Sequence, residues 1–287
     1  MNKAQQIRDI LESKEAVLMP GVYDTLSAKI ASRSGFDVIF TTGYGISATM
    51  LGEPDFGLLT QTEMLSVVQR ICSAVRNPVI VDADTGYGNA VNVTRTVKEL
   101  MRADAAGMFL EDQIWPKRCG HMEGKQVVSL DEYLKKLDAA INARNKEDLF
   151  IVARTDARQA LGLKEAIHRG VTFKNAGADA VFIEAPEDIE EMKEIARNVP
   201  GPLVANMVER GVTPLMDLHQ LKELGFELIV WPVGPLLASA KALKGYYDIL
   251  KQKGSAKQLL DDMLPFEEFH EIVGLAEKML LDEKYKN

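Results

Sequence analysis

The stretch PVIVDADTGYG, residues 78–88, carries the reading of the fold. Its first half is β-branched and apolar without interruption. Its second half turns to two carboxylates, a hydroxyl and two glycines. A strand with one face in water alternates apolar and polar residues, whereas a strand buried on both faces reads as a continuous apolar run. Seven more such runs occur: AVLMPGV (16–22), DVIFTTG (37–43), GMFLEDQ (107–113), LFIVARTD (149–156), AVFIEAP (180–186), PLVANMV (202–208) and ELIVWPV (227–233). Between them, LSAKIASRSG, TRTVKELMRADAAG, LKEAIHRGVTFKNAG and IEEMKEIARNV space their apolar residues as helices do, and three of the four close on glycine. Eight strands alternating with helices predict a (β/α)8 barrel of the TIM type, with a doubly wound sheet as the alternative.

The chain has 287 residues, which suits one such barrel, and no Pro/Gly/Ser linker divides it. We read residues 1–287 as a single barrel domain with a helical extension over 236–287. That extension holds two helical stretches, LLASAKALKGYYDILKQKG and EEFHEIVGLAEKMLLDEKYKN, whose apolar faces need cover, which a neighbouring subunit would supply. A net charge of −8 argues against nucleic acid or an anionic membrane as partner. No apolar run is long enough to cross a bilayer, and the N-terminal MNKAQQIRDILESKEA reads as a polar amphipathic helix without a signal-type core. Two cysteines, Cys72 and Cys119, form no disulfide framework or zinc cluster, so a reducing, cytoplasmic setting is expected.

Barrel active sites lie at the C-terminal ends of the strands. There the chain places Thr42, Gly43 and Tyr44, then Asp82 and Asp84, Glu111 and Asp112, Arg154 and Asp156, Glu184, Asn206, and Trp231 with Pro232. In a strand, Asp82 and Asp84 point to one side. Two converging carboxylates need a cation or a proton between them, and oxygen donors suit Mg²⁺, with Glu111 adjoining. An Asp pair capping the next helix is the plainer alternative. The amides of TTGYG suit a carboxylate, or merely form a tight turn. Arg154 at the end of a buried strand needs an anion, either Glu184 or a substrate carboxylate. Cys119 sits in PKRCGH beside Lys117, Arg118 and His121. Cations stabilise a thiolate, so its pKa is expected below the reference of about 8.5. Cys72, within VVQRICSAV, reads as a small core residue, and His168, His219 and His270 as surface residues on helices.

The motifs GYGISATMLGEPDFG, VDADTGYGN, FLEDQ, PKRCGH, VARTDA, FIEAP and ANMVE, in this order and spacing, span nearly the whole chain. Together they resemble the isocitrate lyase/phosphoenolpyruvate mutase superfamily. The resemblance implies a Mg²⁺-dependent barrel, with Mn²⁺ able to substitute, assembled as a homotetramer that exchanges a C-terminal helix. It implies metal binding by Asp82, with Asp84 and Glu111 direct or through water. Thr42, Gly43 and Tyr44, with Asp55 nearby, would hold a substrate carboxylate; Gly120, Arg154, Glu184 and Asn206 would complete the pocket. The loop from Lys117 to His121 would close over the substrate, and Cys119 would protonate a carbanion.

The implied reaction cleaves a 2-hydroxydicarboxylate of the 2,3-dimethylmalate or 2-alkylmalate type. The alternatives are 2-methylisocitrate cleavage, oxaloacetate hydrolysis and a carboxyphosphonoenolpyruvate-type phosphonomutase reaction. Met122 after His121, Phe40 where tricarboxylate-cleaving members resemble a tyrosine, and Leu237 where they carry an arginine favour the dicarboxylate. Pro232, where hydrolases tend to have serine, disfavours oxaloacetate.

Overall fold

The computed structural model describes residues 2–14, 16–144 and 148–286. Met1 and Glu15 of the N-terminal stretch and Asn287 of the last one lie outside them. Eight parallel strands close a barrel in sequence order: β1 Val17–Val22, β2 Ile39–Thr41, β3 Val79–Asp82, β4 Gly107–Glu111, β5 Phe150–Thr155, β6 Ala180–Ile183, β7 Leu203–Asn206 and β8 Leu228–Trp231, with β8 pairing back onto β1. Every apolar run read from the sequence contains one of these strands, and closure excludes the doubly wound sheet. Inward residues such as Met19, Phe40, Ile80, Phe109, Phe182 and Val204 fill the barrel. Ala4 and Ile7 of helix α1 (Lys3–Ser13) belong to the same cluster, so this helix covers one end.

Helices α2 (Thr25–Arg33), α3 (Gly43–Met50), α4 (Gln61–Ala74), α5 (Ala90–Arg102), α6 (Leu130–Arg144), α7 (Ala157–Leu161), α8 (Leu163–Asn175), α9 (Ile189–Asn198) and α10 (Leu218–Leu224) follow the strands. Their starts are written in the sequence. Asp24, Thr60, Asn89 and Asp217 each form a reciprocal capping box with the third residue of their helix.

Three readings need correction. TTGYG is not a turn: Thr42 caps α3, accepting from the Gly45 amide at 3.3 Å, and the helix begins at Gly43. Asp84 is not in β3, which ends at Asp82; its φ of 48° turns the chain. The two carboxylates still converge beside Gly43, where a Cβ would lie 2.9 Å from Asp82 Oδ2 and 3.5 Å from Asp84 Oδ1. Beyond β8 there are three α-helices among the described residues, not two: α11 (Gly234–Lys253), α12 (Phe266–Val273) and α13 (Leu275–Tyr285), with a 3₁₀ turn at Lys257–Asp262. Gly274, at φ 78°, breaks the second stretch in two. None of α11–α13 has a buried residue, and Leu243, Tyr247, Phe266, Leu280 and Tyr285 stand exposed.

Candidate active site

A cavity of about 280 Å³ opens at the C-terminal ends of the strands. Thr42, Tyr44, Asp55, Asp82, Arg154, Glu184 and Asn206 line it from the rim, and Cys119, Gly120 and His121 line it from the β4–α6 loop. Phe40, Phe109 and Phe182 make an aromatic floor. Gly43, Asp84, Glu111 and Lys117, also singled out from the sequence, do not line the cavity but lie buried beside these residues.

Strand register builds the floor. Glu111 pairs with Arg154 across β4 and β5, which brings Arg154 Nε to 3.4 Å from Glu111 Oε2. Asp156 takes Arg154 in a fork, with Nε 2.9 Å from Oδ2 and Nη2 3.1 Å from Oδ1. Glu184 Oε2 lies 3.1 Å from Nη2. The anionic partner sought for Arg154 is therefore present in the protein itself. Burial disfavours the guanidinium charge, but Asp156, Glu111 and Glu184 outweigh it and hold Arg154 charged. Burial also opposes the charge of Asp156, and Arg154 and Lys125 hold it well below the usual carboxylate range. Asp112, one residue beyond Glu111, points away from the barrel and pairs with Arg169 of α8 at 2.8 Å.

Lys117 is equally committed. Its Nζ is 2.6 Å from both Asp55 Oδ1 and Asp84 Oδ1. Burial works against this ammonium, but Asp84 and Asp55 keep its pKa well above the ordinary value. Asp84 is pushed up to about 7, chiefly by burial, against Lys117 and with Asp82 and Asp55 adding repulsion. Burial likewise raises Glu111, and its Oε1 has no hydrogen-bond partner.

These facts test the site for a divalent cation. No three His, Cys, Asp or Glu side chains among the described residues converge as a ready-made cage. The donor set is nevertheless all oxygen, buried and anion-rich, with Asp84 Oδ1, outside its ion pair with Lys117, and Glu111 Oε1 both lacking a hydrogen-bond partner. It fits an ion that keeps most of its waters and takes one or two carboxylates, as Mg²⁺ does. Asp82 is the carboxylate of the set that reaches the cavity.

Cys119 corrects the expectation of an acidic thiol. It is half-buried, and burial pushes it up to about 11, with a backbone hydrogen bond at His121 and Lys117 opposing only in part. The cations counted from the sequence are spent elsewhere. Lys117 is locked to Asp55 and Asp84, and Arg118 donates to the Glu123 carbonyl at 3.0 Å and lies over Phe56. His121 Nδ1 accepts from the Val212 amide at 3.1 Å, which places the neutral ring's proton on Nε2, 3.4 Å from Glu184 Oε1. A thiol that keeps its proton suits an acid, not a nucleophile.

Lys125 escaped sequence reading, since a lysine in EGKQVVS looks like solvated surface. Its ammonium is fully buried, 2.7 Å from Asp156 Oδ1, and it also donates to the Gly120 carbonyl. It thus pins the Cys119 loop to the carboxylate that forks Arg154. Gly120 leaves no room for a side chain there: a Cβ would lie 2.4 Å from Glu184 Oε2 and 2.6 Å from Arg154 Nη2.

The family described as phosphoenolpyruvate phosphomutase matches residues 7–250. The chain belongs to that family, within the isocitrate lyase/phosphoenolpyruvate mutase superfamily. It is 45% identical to the 2,3-dimethylmalate lyase of Eubacterium barkeri, over 99% of both chains. It is 49% identical to the chloroplastic carboxyvinyl-carboxyphosphonate phosphorylmutase of Arabidopsis thaliana, over 97% of this chain and 83% of that one. A crystal structure of 2,3-dimethylmalate lyase superposes with a TM-score of 0.93 at 35% identity, covering 99% of this chain and 95% of that one. A phosphonopyruvate hydrolase in complex with oxalate and Mg²⁺ matches at 27% identity with a TM-score of 0.88, over 99% of both chains. This member of the phosphomutase family thus shares its whole barrel with lyases, mutases and hydrolases, and its own site residues must separate those chemistries. Among the described residues no helix is long and apolar enough to cross a membrane.

Proposed function

We propose that the chain is a Mg²⁺-dependent carbon–carbon lyase. It splits a 2-hydroxydicarboxylate of the 2,3-dimethylmalate or 2-alkylmalate type into a 2-oxo acid and a monocarboxylic acid. The observation that carries this reading is the placement of Cys119 on the same cavity as Asp82 and Arg154, where burial favours its protonated form. Asp82, with Asp84 and Glu111 direct or through water, would hold Mg²⁺, which would supply positive charge against the oxygen of the 2-oxo acid. Mn²⁺ serves in its place.

The residues of the chain do the rest. The start of α3, at Thr42, Gly43 and Tyr44, receives a substrate carboxylate, helped by the positive end of the helix. Lys117 holds Asp55 and Asp84 in place. Arg154, oriented by Asp156 and Glu184, faces the charge that develops on the 2-oxo acid. Loss of the hydroxyl proton lets the C2–C3 bond break, and its electron pair passes to C3. Cys119 donates its Sγ proton to C3, and the thiolate regains through solvent the proton that the hydroxyl released. His121 and Gly120 keep the loop against Glu184, whose carboxylate also accepts from Asn206 Nδ2.

A second reading, a phosphonomutase, is favoured by the identity to the phosphorylmutase. Transfer of a phosphoryl group within one substrate leaves Cys119 no carbanion to protonate. The deciding experiment incubates the enzyme and Mg²⁺ with 2,3-dimethylmalate, 2-alkylmalates, 2-methylisocitrate, oxaloacetate and phosphoenolpyruvate, and identifies products by NMR. Short alkylmalates are expected to react fastest. A phosphonate product, or 2-methylisocitrate preferred about 100-fold, overturns the reading, since an unpaired buried carboxylate costs several kcal/mol.

The same reading extends to assembly. The chain works as one barrel unit with the extension over 236–287, in a reducing cytoplasm, as a homotetramer. The exposed apolar faces of α11–α13 support this, and a sedimentation mass other than four chains removes it.

A further inference from the structure

A dicarboxylate entering this cavity brings two negative charges to a wall that already presents Asp55, Asp82, Glu184 and Glu209. The wall's groups that are or can become positive are Arg154, His121 and Arg210. Arg154 is held by Asp156 and Glu184 through Nε and Nη2, with Glu111 at 3.4 Å, and is already assigned to the 2-oxo-acid half. His121 is engaged by the Val212 amide and Glu184. Lys117, beneath the wall, is held by Asp55 and Asp84. Arg210 is exposed, and it takes part in none of the ion pairs found among the described residues. A cation on the cavity wall with no internal partner is the one left for the ligand's second carboxylate.

The backbone supports this placement. Arg210 has φ 62°, a left-handed conformation that non-glycine residues adopt rarely and at a cost. The next residue, Gly211, packs against His121: a Cβ there would lie 2.7 Å from Nδ1. The Val212 amide donates to the same nitrogen. The loop carrying Arg210 is therefore clasped to the loop carrying Cys119, and both address one part of the cavity.

We propose that Arg210 binds the distal carboxylate of the substrate, the one that leaves with the monocarboxylic acid. This rests on the lyase reading and names the residue that recognises the second acid group. It also explains how Leu237, which lines the same cavity without charge, is compatible with a dianionic substrate.

The test is steady-state kinetics of Arg210→Met and Arg210→Lys with 2,3-dimethylmalate and Mg²⁺, beside inhibition by oxalate, which mimics only the 2-oxo-acid half. Arg210→Met is expected to raise KM about 10- to 100-fold, the range of a charge-assisted pair, with kcat within about threefold. Arg210→Lys recovers part of the loss, and the oxalate inhibition constant stays put. An unmoved KM, or an equal rise in the oxalate constant, overturns the assignment. Wild-type turnover is measured first: an enzyme that cleaves no dicarboxylate overturns the lyase reading and this inference with it. Cleavage by wild type with an unmoved KM in Arg210→Met overturns this inference alone.

Discussion

Asp82, Glu111, Arg154 and Glu184 stand at the ends of paired strands, whereas Cys119, His121 and Arg210 stand on two loops above them. The strand-end group is positioned by backbone register, with Glu111 facing Arg154 and each strand held on both sides. The loops are held by scattered side-chain and backbone contacts, with no ladder of strand pairing. The Cys119 amide donates to the Asp55 carbonyl at 3.2 Å, Gln113 brackets Arg118 through two bonds of 2.9 Å, and Lys125 reaches down to Asp156. A rigid floor suits binding of metal and 2-oxo acid, where charges must be opposed without reorganisation. A roof with fewer anchors suits a proton donor that must arrive after the substrate. Damage to the floor should abolish binding, and damage to the roof should slow chemistry while leaving binding intact.

The largest expected effect is at the floor. Asp82→Ala should lose Mg²⁺ binding by calorimetry and turnover together, and EDTA should silence the wild type until Mg²⁺ or Mn²⁺ returns. Full activity after stripping the metal would erase the distinction at its root.

At the roof, Cys119→Ser should bind Mg²⁺ and oxalate almost as the wild type does, yet turn over roughly 10²–10⁴-fold more slowly, the usual contribution of a placed acid. In D₂O the wild type should set one deuterium, in one stereochemical sense, on the carbon whose bond broke. Near-normal turnover in the serine variant, or racemic deuterium from the wild type, makes solvent the donor.

Lys125→Met asks whether the tie between roof and floor matters. It leaves Asp156 to Arg154 and frees the Gly120 carbonyl. Turnover should fall about 10- to 100-fold with oxalate affinity kept, a loss of positioning smaller than loss of the acid itself. If oxalate affinity falls in step with turnover, the lysine supports the floor instead.

The smallest effect is in pH dependence. Burial raises the Cys119 thiol from an ordinary value of 9.0 to about 11, and that of Cys72 to about 12. A raised thiol pKa in the folded state means stability present below about pH 9 and lost as pH rises toward about 11, because the unfolded chain ionises first. The melting temperature should therefore fall across that window, and fall less in Cys119→Ser. The turnover profile should show no alkaline limb from this thiol until pH nears about 11. A limb near 8 would restore the acidic thiol that its flanking cations suggest.

The strands were legible because burial on both faces writes itself into each segment: VIV before Asp82 and FIVA before Arg154 need no distant residue to be read. Helix starts were legible for the same local reason, although α3 hid inside a glycine pair that reads as a turn. Asp84 comes beside Asp82 by a turn that the sequence does not show, since alternation along a strand does not continue into a residue of positive φ. Cys72 reads as core and is core.

The sequence by itself thus determined the barrel, the family and the rim on which polar residues gather, because strand patterning and motif spacing are short-range signals. Only the tertiary structure decided which charges are already spent. Lys125 meets Asp156 from 31 positions away, Arg169 takes Asp112 from 57, and His121 receives the Val212 amide from 91. Those long-range contacts leave Cys119 with its proton and Arg210 with its charge free among the described residues. Burial and pairing are properties of what surrounds a side chain, and the surroundings are assembled only when the barrel closes.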